Sequence, residues 1–87
     1  MNIQDVPQGI SVVIETEQLV YIGRFRQAQP GLVRLQDVAV HENLTHGDTE
    51  SYVRKVARYG VDVCERDIVL QAGNVRRVRA LKDITKE

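Results

Sequence analysis

Alternating apolar and polar positions near the start of the chain predict two β-strands. Residues 10–15 place an apolar side chain at every second position after Pro7 and Gly9, which is the spacing of a strand with one buried face. The polar stretch 16–18 predicts a turn, and residues 19–26 then resume the alternation. We therefore expect two consecutive strands, at 10–15 and 19–26.

A third strand is predicted after a turn built on Pro30 and Gly31. Proline suits the first central position of a type II turn, and glycine suits the positive φ of the second. The apolar alternation of the strand breaks near Gln36 and Asp37, which indicates a β-bulge or a sharp bend. Bent strands let small barrels turn corners, so a closed or nearly closed barrel is expected. The residues on either side of the break are Val33 and Leu35 in one phase, then Val38 and Val40 in the other.

One helix is predicted after the third strand. Residues 43–47 predict a loop, Asp48 is a favourable N-cap, and Gly60 follows the last turn of a helix over 49–59. The basic residues of this helix lie mostly away from an apolar stripe that would pack on the barrel. The stripe consists of Tyr52, Val53, Val56 and Tyr59.

The end of the chain predicts two further strands, at 67–71 and 75–81, and a polar tail at 82–87. The intervening segment 72–74 (Ala-Gly-Asn) suits a tight turn, so these two strands are expected to form a hairpin. The predicted fold class is mostly β: a small, strongly bent, five-stranded barrel with one inserted helix. Its core spans residues 10–81.

A length of 87 residues leaves room for one domain, at 1–87. A chain this short buries only about 60% of the surface that its unfolded form exposes, so self-association is an expected means of stabilisation. No apolar run is long enough to cross a bilayer, and the first residues do not resemble a secretory signal. We expect a cytoplasmic protein, and the single cysteine fits a reducing compartment.

Charge is segregated along the chain, although the formal net charge is zero. Residues 1–53 carry three basic and seven acidic side chains, whereas residues 54–82 carry eight basic and three acidic ones. Such asymmetry indicates either a surface for nucleic acid or complementary surfaces that meet between copies. A third interpretation is that folding mixes the two halves into an ordinary solvated surface.

The arrangement of segments resembles the Sm/LSm-like superfamily. In that family the second strand carries an apolar-x-Gly-x-apolar element, to which residues 21–25 (Tyr-Ile-Gly-Arg-Phe) are similar, and the third strand ends near Leu-x-Asp, as at 35–37. The second family motif is an apolar strand, an Arg-Gly-Asn-like turn and another apolar strand, and residues 68–75 resemble it more closely. The resemblance covers about residues 10–81. It implies a ring of about five to seven copies joined through edge strands.

The chain departs from the family where family members hold RNA bases. Ala72 stands in place of the arginine of the turn motif, and Val33 in place of the asparagine of the other pocket motif. The spacing from Gly23 to Asp37 is one residue short, the family's N-terminal helix has no room, and a helix at 49–59 replaces a shorter connection. The resemblance is therefore to a divergent member in which the usual base pocket is not intact.

A dense basic cluster, Arg76, Arg77 and Arg79, follows the predicted turn. Guanidinium groups bind phosphate bidentately, so these arginines, with Gly73 and Asn74 of the turn, are the candidate nucleic-acid-binding residues. RNA is the ligand that the resemblance implies. Alternatively, the arginines pair with nearby acids and protect an edge strand. The acids considered for this pairing are Asp62, Glu65, Asp67 and Asp83.

Two functions are therefore open. The first is a non-catalytic, ring-forming Sm-like module that binds RNA through a basic surface. The second is an oligomerising structural or adaptor module that binds another protein and no nucleic acid. The sequence has no Gly-rich phosphate loop and no nucleophile motif, so neither an enzyme nor a cofactor is expected.

A metal site is not predicted either. His41, Glu42, His46, Asp48 and Cys64 do not have the spacing of metal ligands, and surface positions are expected for the loop residues among them. Cys64 has no adjacent base that would activate its thiol, so we expect a small buried apolar side chain there.

Overall fold

A computed structural model describes residues 5–42, 48–61 and 63–84 of the chain. The strands and the helix lie where the sequence predicts them, with different ends: β2 extends beyond residue 26, and β5 is confined to the middle of the predicted segment 75–81. The elements are β1 (Ser11–Glu15), β2 (Leu19–Gln29), β3 (Leu32–Glu42), α1 (Asp48–Tyr59), β4 (Glu65–Gln71) and β5 (Arg77–Ala80).

The strands form one antiparallel sheet in the order β4-β3-β2-β1-β5. β4 and β5 lie at opposite ends of this sheet, so the hairpin predicted between them is wrong. The reason is that Ala72–Asn74 forms a 3₁₀ turn, in which the Val75 N–H donates to the Ala72 carbonyl oxygen (3.2 Å), and the chain then pairs β5 with β1. Within the described residues the end strands do not pair with each other. The predicted barrel closure is therefore not seen.

The predicted break in the third strand is a register shift centred on Asp37. Asp37 has a φ of 53°, a left-handed conformation that aspartate tolerates better than most residues, and the β2–β3 register shifts between Ile22 and Arg24. Gly23 lies opposite, where an added Cβ would come within 2.8 Å of Val38 Cγ2. The bend therefore requires the absence of a side chain at Gly23.

Two predicted glycine positions are confirmed by their backbone conformations. Gly31, in the turn between β2 and β3, has a φ of 81°, as a type II turn requires. Gly60 has a φ of 97° and ends α1, and its N–H donates to the Val56 carbonyl oxygen (2.8 Å). The left-handed residue after α1 satisfies a carbonyl group of the last turn.

The sheet buries an apolar cluster on each face, because successive residues of a strand point to opposite sides. The first, which we call the inner cluster, includes Val12, Ile14, Phe25, Val33, Leu35, Val38 and Val78. The second, the helix cluster, joins α1 to β1 and β2 and consists of Val13, Val20, Ile22, Val53, Val56 and Ile84.

The helix cluster corrects two predictions. Tyr59, expected in the apolar stripe, is 74% exposed, whereas Val53 and Val56 of the same stripe are buried. Ile84, expected in a polar tail, is buried because Leu81–Asp83 forms a 3₁₀ turn that carries it to the helix. Within 5–42, 48–61 and 63–84, no helix is long and apolar enough to span a membrane.

Candidate nucleic-acid interface

The three candidate arginines do not form one surface. β5 alternates, so Val78 points into the inner cluster, while Arg77 and Arg79 lie on the opposite face, which α1 partly covers. Arg77 is directly opposite Glu15 of β1. Arg76 precedes the strand and contacts a different acidic residue.

Arg77 and Arg79 are held by two carboxylates. Glu15, only 8% exposed, accepts hydrogen bonds from Arg77 Nε and from Arg79 Nη2, the second at 3.2 Å. Glu50 of α1 accepts from Arg77 Nη2 (3.0 Å) and Arg79 Nη2 (2.9 Å). We call these four side chains the arginine–glutamate network. It connects α1 to the two strands β1 and β5.

The network stabilises the charged forms of Glu50 and Arg77. The hydrogen bond from Arg79 is the main cause that holds the pKa of Glu50 below its usual value, and Arg77 acts in the same direction. The hydrogen bond to Glu15 is the main cause that raises the pKa of the Arg77 guanidinium. Arg77 and Arg79 are thus both already engaged with carboxylates.

Lowering the pH is expected to weaken the attachment of α1 to the sheet. The pKa of Glu50 is lower in the folded chain than its usual 4.5, so its contribution to stability is complete above that value and is lost as the pH falls through the folded pKa. Glu50→Gln should remove this part of the pH dependence. Urea unfolding from about pH 7 down to about pH 3 measures it. If wild type and variant lose stability in parallel, Glu50 is not the responsible group.

Arg76 is the most available of the three arginines. Its side chain is 65% exposed, and its ion pair with Glu17 is long, at 3.7 Å. Arg76 and Asn74 line a cavity of about 250 Å³ between the β1–β2 turn and the turn after β4. Gly73, in the same turn, is exposed. The cavity, which we call the turn cavity, is also lined by Gln18, Tyr21 and Gln71.

The turn cavity combines groups that recognise different parts of a nucleotide. Amide side chains bind the edge of a base, an aromatic ring stacks on its face, and a guanidinium binds phosphate. The structure thus brings Asn74 and Arg76 together at the turn cavity. Arg77 and Arg79 point instead toward Glu15 and Glu50.

The acids that pair with the arginines come from the acidic half of the chain. They are Glu15, Glu17 and Glu50, all distant in sequence from β5. Pairing of the arginines with acids was one of the two alternatives that the sequence left open, but these partners were not among the four acids considered. The charge segregation along the chain is therefore partly neutralised by folding.

The four acids considered are placed differently. Asp67 binds Arg34 of β3 through two hydrogen bonds, from Nε (3.0 Å) and from Nη2 (2.5 Å). The pKa of Asp67 is lowered by this hydrogen bonding. Asp62 lies outside the described residues, and Glu65 and Asp83 form no ion pair with the arginines of β5 in the part of the chain that the structure describes.

The positions that depart from the family pocket offer no polar side chain to a ligand. Val33 is fully buried in the inner cluster. Ala72 packs against the same cluster, and its N–H donates to the Gly31 carbonyl oxygen (2.9 Å). These two positions serve the packing of the sheet.

Among the described residues, no group of three or more His, Cys, Asp or Glu side chains could hold a metal ion. His41 stacks on Tyr52 of α1, with ring centroids 4.1 Å apart. His46 and the side chain of Asp48 lie outside what the structure describes.

The prediction that Cys64 is buried is wrong. The residue is exposed, and its Sγ lies 3.5 Å from the Val38 carbonyl oxygen. The neighbouring Val63 is 46% exposed. Both residues lead into β4, which has a strand neighbour on one side only among the described residues.

The face of β4 opposite the inner cluster carries an exposed apolar patch. Val69 of β4 is 58% exposed and Leu32 of β3 is 41% exposed, and they border a depression of about 410 Å³. We call this surface the edge patch: Gln27, Gln29, Leu32, Arg34, Asp67 and Val69.

Every second backbone amide of β4 points away from the sheet. The Ala72 N–H bonds to Gly31 in register with the β3–β4 pairing. Hydrogen-bonded positions alternate in an antiparallel pair, so the even-numbered residues of β4 bond to β3 and the odd-numbered residues face the open edge. The outward residues are Glu65, Asp67, Val69 and Gln71.

Glu15 and Glu50 were missed by the sequence analysis. A signal for Glu15 exists: it follows Val13 at strand spacing, on the face that α1 covers, and a charge in such a position needs a partner. No comparable signal marks Glu50, because its proximity to β5 depends on how the helix packs.

The sequence matches no protein-family model, and no curated protein matches it significantly. Function is therefore inferred from the geometry of the described residues and from the motif resemblance at 21–25 and 68–75.

Proposed function

We propose that this chain is a non-catalytic, self-assembling module of the Sm-like kind, in which β4 of one copy pairs with β5 of the next. One observation carries the proposal: the strand order leaves β4 and β5 at opposite ends of the sheet, each with one side unpaired among the described residues. A sheet with two such ends can continue from copy to copy, and a constant rotation between copies closes a ring.

The edge patch supports this proposal. It places the exposed Val69 on an end strand whose outward amides have no strand beside them in the described chain. Unpaired strands of this kind associate with other strands unless they are protected. Pairing between copies would satisfy these amides and would add buried apolar surface to a domain of only 87 residues.

The arginine–glutamate network favours a structural or adaptor role over a basic RNA-binding surface. A phosphate group that binds Arg77 or Arg79 would compete with Glu15, and a buried carboxylate that loses its partners is strongly unfavourable. In the assembly proposed here, the copies are therefore joined without nucleic acid.

Size-exclusion chromatography with light scattering tests the assembly. The protein at micromolar concentration is expected to elute as one species with the mass of about five to seven copies. The same mass should be found after nuclease treatment, since assembly does not require RNA. A monomer mass at these concentrations would contradict the proposal.

A second candidate function is the binding of RNA at the turn cavity, and it is favoured by the convergence of Asn74, Arg76 and Tyr21 there. If Arg76 contacts a phosphate, Arg76→Ala should reduce RNA affinity and flatten its salt dependence by up to about 0.7 in the log-log slope. Arg24→Ala, at an exposed arginine of a different cavity, is the matched control.

Fluorescence anisotropy with a single-stranded RNA at several salt concentrations measures this effect. Equal affinities for wild type and Arg76→Ala, or no binding by the wild type at low salt, would exclude this second function. Replacing all three arginines is a poorer test, because Arg77 and Arg79 also hold Glu15.

A further inference from the structure

The side of α1 that faces away from the sheet is basic and aromatic. Val53 and Val56 of α1 are buried in the helix cluster, whereas residues on the other side of the helix are exposed. Tyr59 is 74% exposed, which makes it the most exposed large hydrophobic side chain in the part of the chain that the structure describes. We call this surface the basic face: Arg54, Lys55, Arg58 and Tyr59.

The fold does not neutralise the cations of the basic face. The arginine–glutamate network balances two guanidinium groups with two carboxylates, so it has no negative charge to spare for α1. Among the described residues, neither Arg54 nor Lys55 has an ion-pair partner. Asp83 lines a cavity with Arg54, but it directly follows the exposed Lys82, and these two charges offset each other. Folding therefore leaves an excess of positive charge on the basic face.

The basic face has the spacing of a surface on which another helix can pack. Arg54 and Arg58 are four residues apart, as are Lys55 and Tyr59, so the face consists of two parallel ridges. Residues at this spacing have Cβ atoms about 5–6 Å apart, and carboxylates four residues apart on a second helix match it. The Arg58 guanidinium lies over the Tyr59 ring, 5.2 Å from its centroid, so the two side chains form one continuous contact surface.

Two features favour a protein over a nucleic acid as the partner of this face. Glu50 and Asp83 lie beside Arg54 and would repel a chain that carries a negative charge at every nucleotide. The cations also extend over little more than one helical turn, about 6 Å along the axis, which is short for a track that follows a phosphate backbone. Arginine and tyrosine are the residue types that contribute most to protein–protein contacts.

We propose that the basic face binds an acidic amphipathic helix of another protein, with carboxylates four residues apart toward Arg54 and Lys55 and an apolar side chain on the Tyr59 ring. The proposal goes beyond the assembly, because the pairing of β4 with β5 does not use α1. It applies to a single copy as well as to an assembled one. It gives the adaptor role a partner of defined chemistry.

An NMR titration of the isotope-labelled protein tests the proposal with two synthetic peptides. Both are helical and about 20 residues long, since shorter isolated helices are marginal in water. The acidic peptide has glutamates four residues apart beside leucines, and the control peptide has glutamine at every glutamate position. The amide signals of residues 54–59 should shift with the acidic peptide only, and the affinity should fall as the salt is raised toward about 1 M, where the Debye length is about 3 Å. No shift at these residues, or equal shifts with both peptides, would overturn the proposal.

Variants of the basic face provide a second test. Replacing Arg54 and Lys55 together by alanine, which keeps the helix propensity, should weaken binding of the acidic peptide by about fivefold or more. Arg24→Ala, at an exposed arginine away from α1, is the matched control and should bind like the wild type. Circular dichroism checks that α1 is retained, and glutamine at positions 54 and 55 replaces alanine if it is not. Wild-type affinity in the folded double variant would overturn the proposal.

A single-stranded RNA, titrated in the same way, separates the two classes of partner. If RNA shifts the amides of residues 54–59 at a lower concentration than the acidic peptide does, the basic face is a nucleic-acid site and the proposal is wrong. The expected result is that the peptide binds this face more tightly than RNA does.

Discussion

Replacing Arg77 and Arg79 together by alanine is expected to destabilise the fold by about 3 kcal/mol or more. Both guanidiniums bind the buried Glu15, and removal of both would leave this carboxylate without a partner where water has little access. The same change would release Glu50 and hence the first turns of α1. For a small domain whose total stability is about 5–15 kcal/mol, the loss is large.

Urea unfolding followed by circular dichroism measures this loss. Arg76→Ala, which removes a neighbouring exposed arginine, should change stability by less than about 0.5 kcal/mol. Adding Glu15→Leu to the double variant should restore much of the stability, because no unpaired charge then remains buried. A double variant within about 1 kcal/mol of wild type would show that Glu15 does not depend on these arginines.

Gln71→Pro is expected to abolish assembly and leave the monomer folded. The Gln71 N–H faces the open edge, so proline removes no hydrogen bond to β3. Its φ of −77° already suits proline. In the assembly, the same substitution removes an amide donor and puts the proline ring between two strands that must approach to hydrogen-bond distance.

Gln71→Ala keeps the N–H and is the matched control, so it should assemble like the wild type. The two variants should have similar thermal stability as monomers, measured at a concentration below that of assembly. If Gln71→Pro forms the same oligomer as Gln71→Ala, the end of β4 does not take part in the interface. If Gln71→Pro is unfolded instead, the assignment of its amide to the open edge is wrong.

The strands and the bend could be predicted from the sequence because their causes are local. Alternation places β1 and β2, the turn at Gly31 needs a positive φ, and the change of phase at Asp37 marks the bulge. The sequence alone could not show why position 23, opposite the bulge, must lack a side chain. Only the register shows that Gly23 faces Val38.

The pairing of the last two strands could not be predicted, because it depends on distant residues. The Gly-Asn turn chemistry is compatible with a hairpin, yet β5 finds its partner in β1, more than sixty residues earlier in the chain. The register of that pair places Arg77 beside Glu15. The basic cluster therefore had a partner that no inspection of its sequence neighbours could identify.

The exposed residues near β4 illustrate the same limit. Burial is predicted for Cys64, and the structure leaves this residue exposed, together with Val63 and Val69. Among the described residues, α1 packs over β1 and β2 rather than over the face of β4 that carries Val69, whereas Ile68 and Leu70 on the other face of β4 pack against the inner cluster.

Amide hydrogen exchange measured by NMR tests the central claim most directly, which is that the outward amides of β4 bond to a neighbouring copy. The even-numbered amides of Ile68 and Leu70 face β3 and provide an internal reference. At concentrations where the protein assembles, the amides of Asp67 and Val69 should exchange as slowly as these references, and on dilution to the monomer they should become fast. Fast exchange of Asp67 and Val69 at every concentration, beside protected even-numbered amides, would contradict assembly through β4.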